Sequence, residues 1–101
     1  MNTKTAWVVK QIAETIHPTK VILFGSRASH RFSTQSDIDL LVIYDGDKSK
    51  RDVKLAIHRL FEHPTFSLDV FVLSSAEFEQ QAPIANTLAR EVAEHGVVSY
   101  G

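Results

Sequence analysis

The sequence predicts an α/β (α+β) protein, with a small mixed β-sheet flanked by helices. Short apolar runs alternate with stretches in which apolar residues recur at helical spacing. The connections between the apolar runs differ in length, which predicts one antiparallel and one parallel pair of strands. With 101 residues, we expect one domain spanning residues 1–101.

The first predicted element is an amphipathic helix over residues 5–16. Three of its apolar residues lie four positions apart, which places them on one helix face: Val8, Ile12 and Ile16. The His17-Pro18 step ends this helix, because the residue before a proline disfavours helical backbone angles.

Two strands follow the helix. Residues 20–24, KVILF, form a short buried strand ending at Gly25, and residues 26–31 are expected to form one or two helical turns. The second strand occupies residues 37–44. Only eleven residues separate Gly25 from Asp37, which is short for a parallel crossover. We therefore expect the first two strands to be antiparallel.

The second half of the chain repeats the alternation. Residues 50–62 carry a stripe of apolar residues typical of a core-facing helix, and residues 67–73, SLDVFVL, form the third strand. Because a whole helix connects strands two and three, we expect them to be parallel, with a right-handed crossover.

Helical character returns at Ala76, and Gly96 is the expected C-cap. The predicted apolar stripe consists of Ile84, Ala85, Leu88, Ala89, Val92 and Ala93. The closing VVSY is expected to add a short edge strand.

Composition excludes several classes of protein. The net charge of −1 gives no electrostatic case for direct nucleic-acid binding, and the lack of cysteine excludes disulfides and thiolate metal sites. The five histidines lack zinc-ligand spacing, and the cations of residues 48–54 are expected to be a solvated helix start. No stretch is typical of a signal peptide or a membrane span, so we expect a soluble, cytoplasmic protein.

Carboxylates stand where an apolar strand begins, although Asp is depleted in strands. Asp37 and Asp39 point to one face because the side-chain period of a strand is two. In the predicted topology, Gly25 and Ser26 at the end of strand one lie at the same sheet edge as these acids. Asp69 in strand three lies at that edge as well, so we expect the five residues to converge.

This constellation suits phosphoryl or nucleotidyl transfer. Carboxylates are preferred ligands of Mg²⁺, and three of them can hold two ions roughly 3.5–4 Å apart. The Gly-Ser turn allows close approach of a phosphate, Ser26 can donate a hydrogen bond to it, and Arg27 can contact a triphosphate. Each feature alone also has a structural explanation: a simple turn, a solvated strand edge, or a surface ion pair.

The spacing Gly25-Ser26, ten residues, then Asp37-x-Asp39 resembles the signature of the DNA polymerase β-like nucleotidyltransferase superfamily. The short chain, with LFGSRA and SDIDLLV, is similar to its minimal nucleotidyltransferase (MNT) branch over nearly its whole length. The resemblance implies the nucleotidyltransferase fold, with metal-bound ATP as the nucleotide donor. It also implies that Asp37, Asp39 and Asp69 bind metal and that Gly25 and Ser26 bind phosphate. Ser29-His30 departs from the Arg-Gly of many relatives.

The resemblance further implies a partner, because MNT proteins commonly act as antitoxins to HEPN-domain RNase toxins, some by adenylylating a toxin tyrosine. Three functions stay open on the sequence. The chain transfers AMP to a toxin within a hetero-oligomer, neutralises the toxin by contact alone, or modifies a small molecule.

Overall fold

The computed structural model describes residues 3–25, 37–62 and 67–101, and of Asp37 the backbone alone. Within these ranges the elements are α1 Thr3–Ile16, β1 Lys20–Phe24, β2 Asp37–Ile43, α2 Lys50–Leu60, β3 Ser67–Leu73, α3 Ser75–Gln81, α4 Leu88–His95 and β4 Val97–Tyr100. No helix among the described residues is long and apolar enough to cross a membrane.

The four described strands form one mixed sheet in the order β3-β2-β1-β4. β1 pairs antiparallel with both β2 and β4, whereas β2 pairs parallel with β3. The predicted fold class, both predicted pairings and the closing edge strand are confirmed. The predicted turns at residues 26–31 lie outside the described residues.

One face of the sheet packs on α1 and α2. The helices contribute buried aliphatic residues at helical spacing, and alternate residues of the strands meet them. The main members of this cluster are Val8, Ile12, Ile16, Val21, Leu23, Ile38, Leu40, Val42, Val53, Ile57 and Val70. Because β1 and β2 are buried on both faces, they are apolar along most of their length.

The other face carries a smaller cluster under α3 and α4, made of Ile22, Phe24, Leu41, Ile43 and Val92. Asp39 belongs to this face, since it lies two residues before Leu41 on β2. Near the start of β3 this face is no longer buried, and Asp69 is exposed.

The helical character expected from Ala76 and capped at Gly96 is divided between α3 and α4, which corrects the predicted start of the apolar stripe at Ile84. Pro83 cannot continue a helix, Asn86 has a φ of +66°, and Thr87 begins α4 by accepting a hydrogen bond from the Arg90 amide. As a result Ile84, assigned to the buried stripe, lies between the helices and is 56% exposed.

Gly96 is the C-cap of α4, but its backbone is extended (φ −74°, ψ 157°) rather than left-handed. A Cβ at this position would lie 2.5 Å from the carbonyl oxygen of Val92 and 2.7 Å from Cγ2 of Ile22. Glycine is required here because α4 and β1 approach closely, not because of a left-handed turn.

Asp45 joins three segments beyond the end of β2. Its carboxylate accepts hydrogen bonds from the Ser75 amide (2.9 Å), the Ser75 hydroxyl and the Thr19 hydroxyl (2.8 Å). The side-chain and backbone hydrogen bonds from Ser75, with the one from Thr19, lower the pKa of Asp45 below its usual value.

Asp45 should therefore make folding stability depend on pH. A carboxylate whose pKa is lower in the folded state stabilises the fold above its unfolded pKa, and that contribution is lost as pH falls through the folded value. We expect Asp45→Asn to lower the urea midpoint at pH 6 and to lower it by less at pH 3, where protonation has removed part of the contribution. The matched control is Asp47→Asn in the same turn. An equal effect of Asp45→Asn at both pH values would contradict the assignment.

Candidate active site

Asp39 lies at the centre of the candidate site. It is paired with Phe24 of β1 on one side and with Asp69 of β3 on the other. Residues paired in register project from the same face of a sheet, so Asp39 and Asp69 are neighbours on one face. Asp37 lies two residues earlier on β2, opposite Ser67, and therefore at the same end of the strand.

Gly25 directly follows β1 and contacts Asp39. Its φ is +78°, a left-handed conformation that residues with a Cβ rarely adopt. A Cβ built on Gly25 would lie 2.4 Å from Oδ2 of Asp39 and 3.3 Å from its Cγ. The carboxylate of Asp39 thus occupies the space that any other residue at position 25 would fill.

An aromatic surface adjoins the acids. The ring of Phe71 is 42% exposed and lies on β3 two residues after Asp69, on the same face of the sheet. Its centroid is 5.9 Å from that of Phe24, the residue opposite Asp39. Phe71 was not among the site residues predicted from the sequence, although its position two residues after Asp69 on a strand could have identified it.

Ser26, Arg27 and the Ser29-His30 departure lie outside the described residues. Their predicted contacts with phosphate stay predictions. So do the metal-binding roles of the three aspartates, although the sheet brings Gly25, Asp39 and Asp69 to one place as the topology required.

The donor chemistry fits a hard divalent cation. Asp39 is half-buried and Asp69 is exposed. Among the side chains that the structure describes, no three metal-ligating groups come together. The third ligand of the predicted set would come from Asp37, at the same end of β2. Carboxylate oxygens, here supplied by two adjacent strands, are the ligands that Mg²⁺ prefers.

Comparisons with known proteins agree with this arrangement. Residues 8–98 match the family model described as "Polymerase beta, Nucleotidyltransferase", a range that includes Gly25, Asp37, Asp39 and Asp69. A search of curated proteins finds no match.

Two solved structures share the fold. One is the crystal structure of a candidate nucleotidyltransferase from Sulfolobus solfataricus, with a TM-score of 0.61 and 22% identity over 94% of this chain and 78% of the other. The second is a toxin–antitoxin structure with AMP-PNP, with a TM-score of 0.60 and 17% identity over 95% of this chain and 73% of the other. At these identities the similarity concerns the fold.

Proposed function

Because the chain belongs to the polymerase beta nucleotidyltransferase family, we propose that it transfers AMP from ATP to a hydroxyl of a partner protein, with Mg²⁺ as cofactor. The partner is a HEPN-domain RNase toxin, which makes this chain an antitoxin within a hetero-oligomer. The observation that carries the proposal is the carboxylate of Asp39, seated against Gly25 and in register with Asp69.

The residues of the site have two proposed roles, metal binding and phosphate binding. Asp37, Asp39 and Asp69 would hold Mg²⁺, which when bound neutralises the triphosphate and the pyrophosphate that leaves. The left-handed turn at Gly25 would allow the phosphates to approach the backbone, and Ser26 and Arg27 would donate hydrogen bonds to them.

The transfer step balances without a further reactant. The hydroxyl oxygen of a toxin tyrosine forms a bond to the α-phosphorus of ATP, and the bond between that phosphorus and the α,β-bridging oxygen breaks. Pyrophosphate leaves, and the hydroxyl proton would pass to a carboxylate of the site.

A macromolecular acceptor is supported by the openness of the site. Asp69 and Phe71 are both exposed on β3, which is an edge strand of the described sheet. The shared fold with a toxin–antitoxin protein bound to AMP-PNP supports the same class of partner and of nucleotide.

Nucleotide binding should require a divalent cation. In its absence, carboxylates and a triphosphate repel each other across a few ångströms, and screening by water reduces this repulsion only in part. We expect calorimetry to detect ATP binding with Mg²⁺ and to lose it with excess chelator. Equal affinity in both conditions would contradict the proposed site.

The acceptor is tested by intact-mass spectrometry of the HEPN toxin after incubation with this protein and Mg-ATP. We expect one or more AMP-sized additions to the toxin, located at tyrosine by peptide mapping, and none when Mg²⁺ is omitted. A toxin fully inhibited in a stoichiometric complex with unchanged mass would assign the function to contact neutralisation instead. AMP found only on an added small molecule would favour a small-molecule nucleotidyltransferase instead.

A further inference from the structure

β3 has an open side. In the described part of the chain it pairs with β2 on one side, and no strand lies on the other. The carbonyl oxygen of Leu73 accepts a hydrogen bond from the Tyr44 amide, just beyond β2, at 2.9 Å. Since successive residues of a strand direct their N–H and C=O groups to opposite sides, Val70 and Val72 direct theirs to the open side.

A groove of about 260 Å³ runs along this open side. It is lined by β3 from Val70 to Leu73, by Leu88 of α4, and by three cations of α2: Lys50, Arg51 and Lys54. The groove therefore lies across the edge of the sheet, because α2 packs on one face and α4 on the other.

Two of the three cations of the groove have no ion-pair partner within the described residues. Lys50 forms an ion pair with Glu77, but Arg51 and Lys54 have no ion-pair partner there. Phe71 lines the same groove and lies two residues from Asp69, so one end of the groove is next to the candidate active site.

We propose that the open side of β3 is a docking groove for an extended acidic segment of the acceptor protein, which adds to the sheet as a further strand. The inference rests on the proposed function in taking the acceptor to be a protein. A polypeptide offers both donors and acceptors to an exposed strand, whereas a phosphodiester backbone offers acceptors alone. The unpaired cations select acidic side chains by charge complementarity.

The period of a strand then predicts the sequence pattern of the segment. Side chains on the α2 face of an added strand meet Arg51 and Lys54, and those on the opposite face meet Phe71 and Asp69. Acidic residues should therefore alternate with aromatic or hydroxyl residues. A tyrosine between two glutamates has the alternation that the groove requires.

Fluorescence anisotropy with labelled peptides tests the groove. The probe is a ten-residue peptide of alternating Glu and Tyr, and the control peptide has the same composition arranged as five Glu followed by five Tyr. The groove variant is Arg51→Glu/Lys54→Glu. The control variant, Lys10→Glu/Lys20→Glu, reverses two positive charges away from the groove. We expect the alternating peptide to bind more tightly than the block peptide. The groove variant should lose on the order of tenfold in affinity and the control variant little, since only the former reverses charges that the peptide contacts.

Hydrogen exchange supplies a second measurement that does not depend on the variants. Binding of the alternating peptide should protect the amides of Val70 and Val72, with little change at Phe71, whose amide faces β2. Amides of the other edge strand, β4, should exchange as before.

Three results would overturn the inference. The first is unchanged peptide affinity in the groove variant. The second is displacement of the peptide by single-stranded oligo-dT, which would assign the groove to a nucleic acid. The third is an equal loss of Mg-ATP affinity in the groove variant, which would assign the cations to nucleotide binding. Failure of the proposed function is separable. A peptide bound and protected as expected but never adenylylated leaves the groove intact, whereas full-rate toxin adenylylation by the groove variant refutes the groove alone.

Discussion

Replacing Asp39 with asparagine is expected to reduce AMP transfer by about 10³-fold while the protein stays folded. The substitution keeps the shape of the side chain beside Gly25 and removes its charge. A carboxylate that holds a catalytic cation contributes several kcal/mol to transition-state stabilisation, and about 1.36 kcal/mol corresponds to a tenfold change in rate. Initial rates with saturating toxin and Mg-ATP measure the effect.

Thermal unfolding separates catalysis from structure. We expect the melting temperature of Asp39→Asn to change by less than about 4 °C, which corresponds to roughly 1 kcal/mol or less in a domain of this size. The matched control, Asp47→Asn in the exposed turn after β2, should leave both rate and melting temperature unchanged. A large fall in melting temperature with transfer retained would assign Asp39 a structural role.

Gly25→Val is expected to reduce both stability and transfer. A β-branched residue at a φ of +78° is strained by about 1–3 kcal/mol, and its Cβ would lie 2.4 Å from Oδ2 of Asp39. The carboxylate must move, which would misplace it for the proposed metal binding and cost about 10²-fold in rate. Urea unfolding and initial rates measure the two effects.

Gly46→Val is the matched control, because its Cβ would also meet an oxygen at 2.4 Å. That oxygen is the hydroxyl of Tyr44, whose ring must shift because its Cζ would lie 2.6 Å away, but the φ of Gly46 is not in the left-handed region and Tyr44 lies beyond the other end of β2 from the acids. We therefore expect Gly46→Val to cost some stability but to leave transfer unchanged. If Gly25→Val acts through Asp39, it should lower transfer little further in the Asp39→Asn background. Additive losses would show that Gly25 acts separately.

The sequence alone determined most of the fold that positions the site. The spacing of Val8, Ile12 and Ile16 predicted α1, and the apolar runs predicted β1 to β3 to within a residue. The length of the Gly25–Asp37 connection predicted the antiparallel pair, and the intervening helix predicted the parallel pair. These features are encoded locally, because periodicity and connection length depend on neighbouring residues.

The same local information determined that the end of β1 and the starts of β2 and β3 would meet at one edge of the sheet. It therefore identified the candidate site residues at that edge. Asp39 and Asp69 are register partners because a strand of seven residues pairs with another of seven along its whole length. The division of the last helix was also encoded locally, by Pro83 and by the cap at Thr87. The apolar spacing from Ile84 is compatible with a helix, but Pro83 and the Thr87 cap prevent one from forming before Leu88.

Tertiary structure alone decided which residues of different helices and strands contact one another. The sequence predicted that Gly25 binds a phosphate, but its contact with Asp39 depends on how β1 and β2 pair. In the same way, the close approach of Gly96 to Ile22 depends on how α4 packs against β1. The cations of residues 48–54 are exposed at the start of α2, as predicted, and the position of α2 over β3 also places three of them along an open strand. Such contacts join residues far apart in the chain, and no local pattern records them, because they depend on how complete elements pack together.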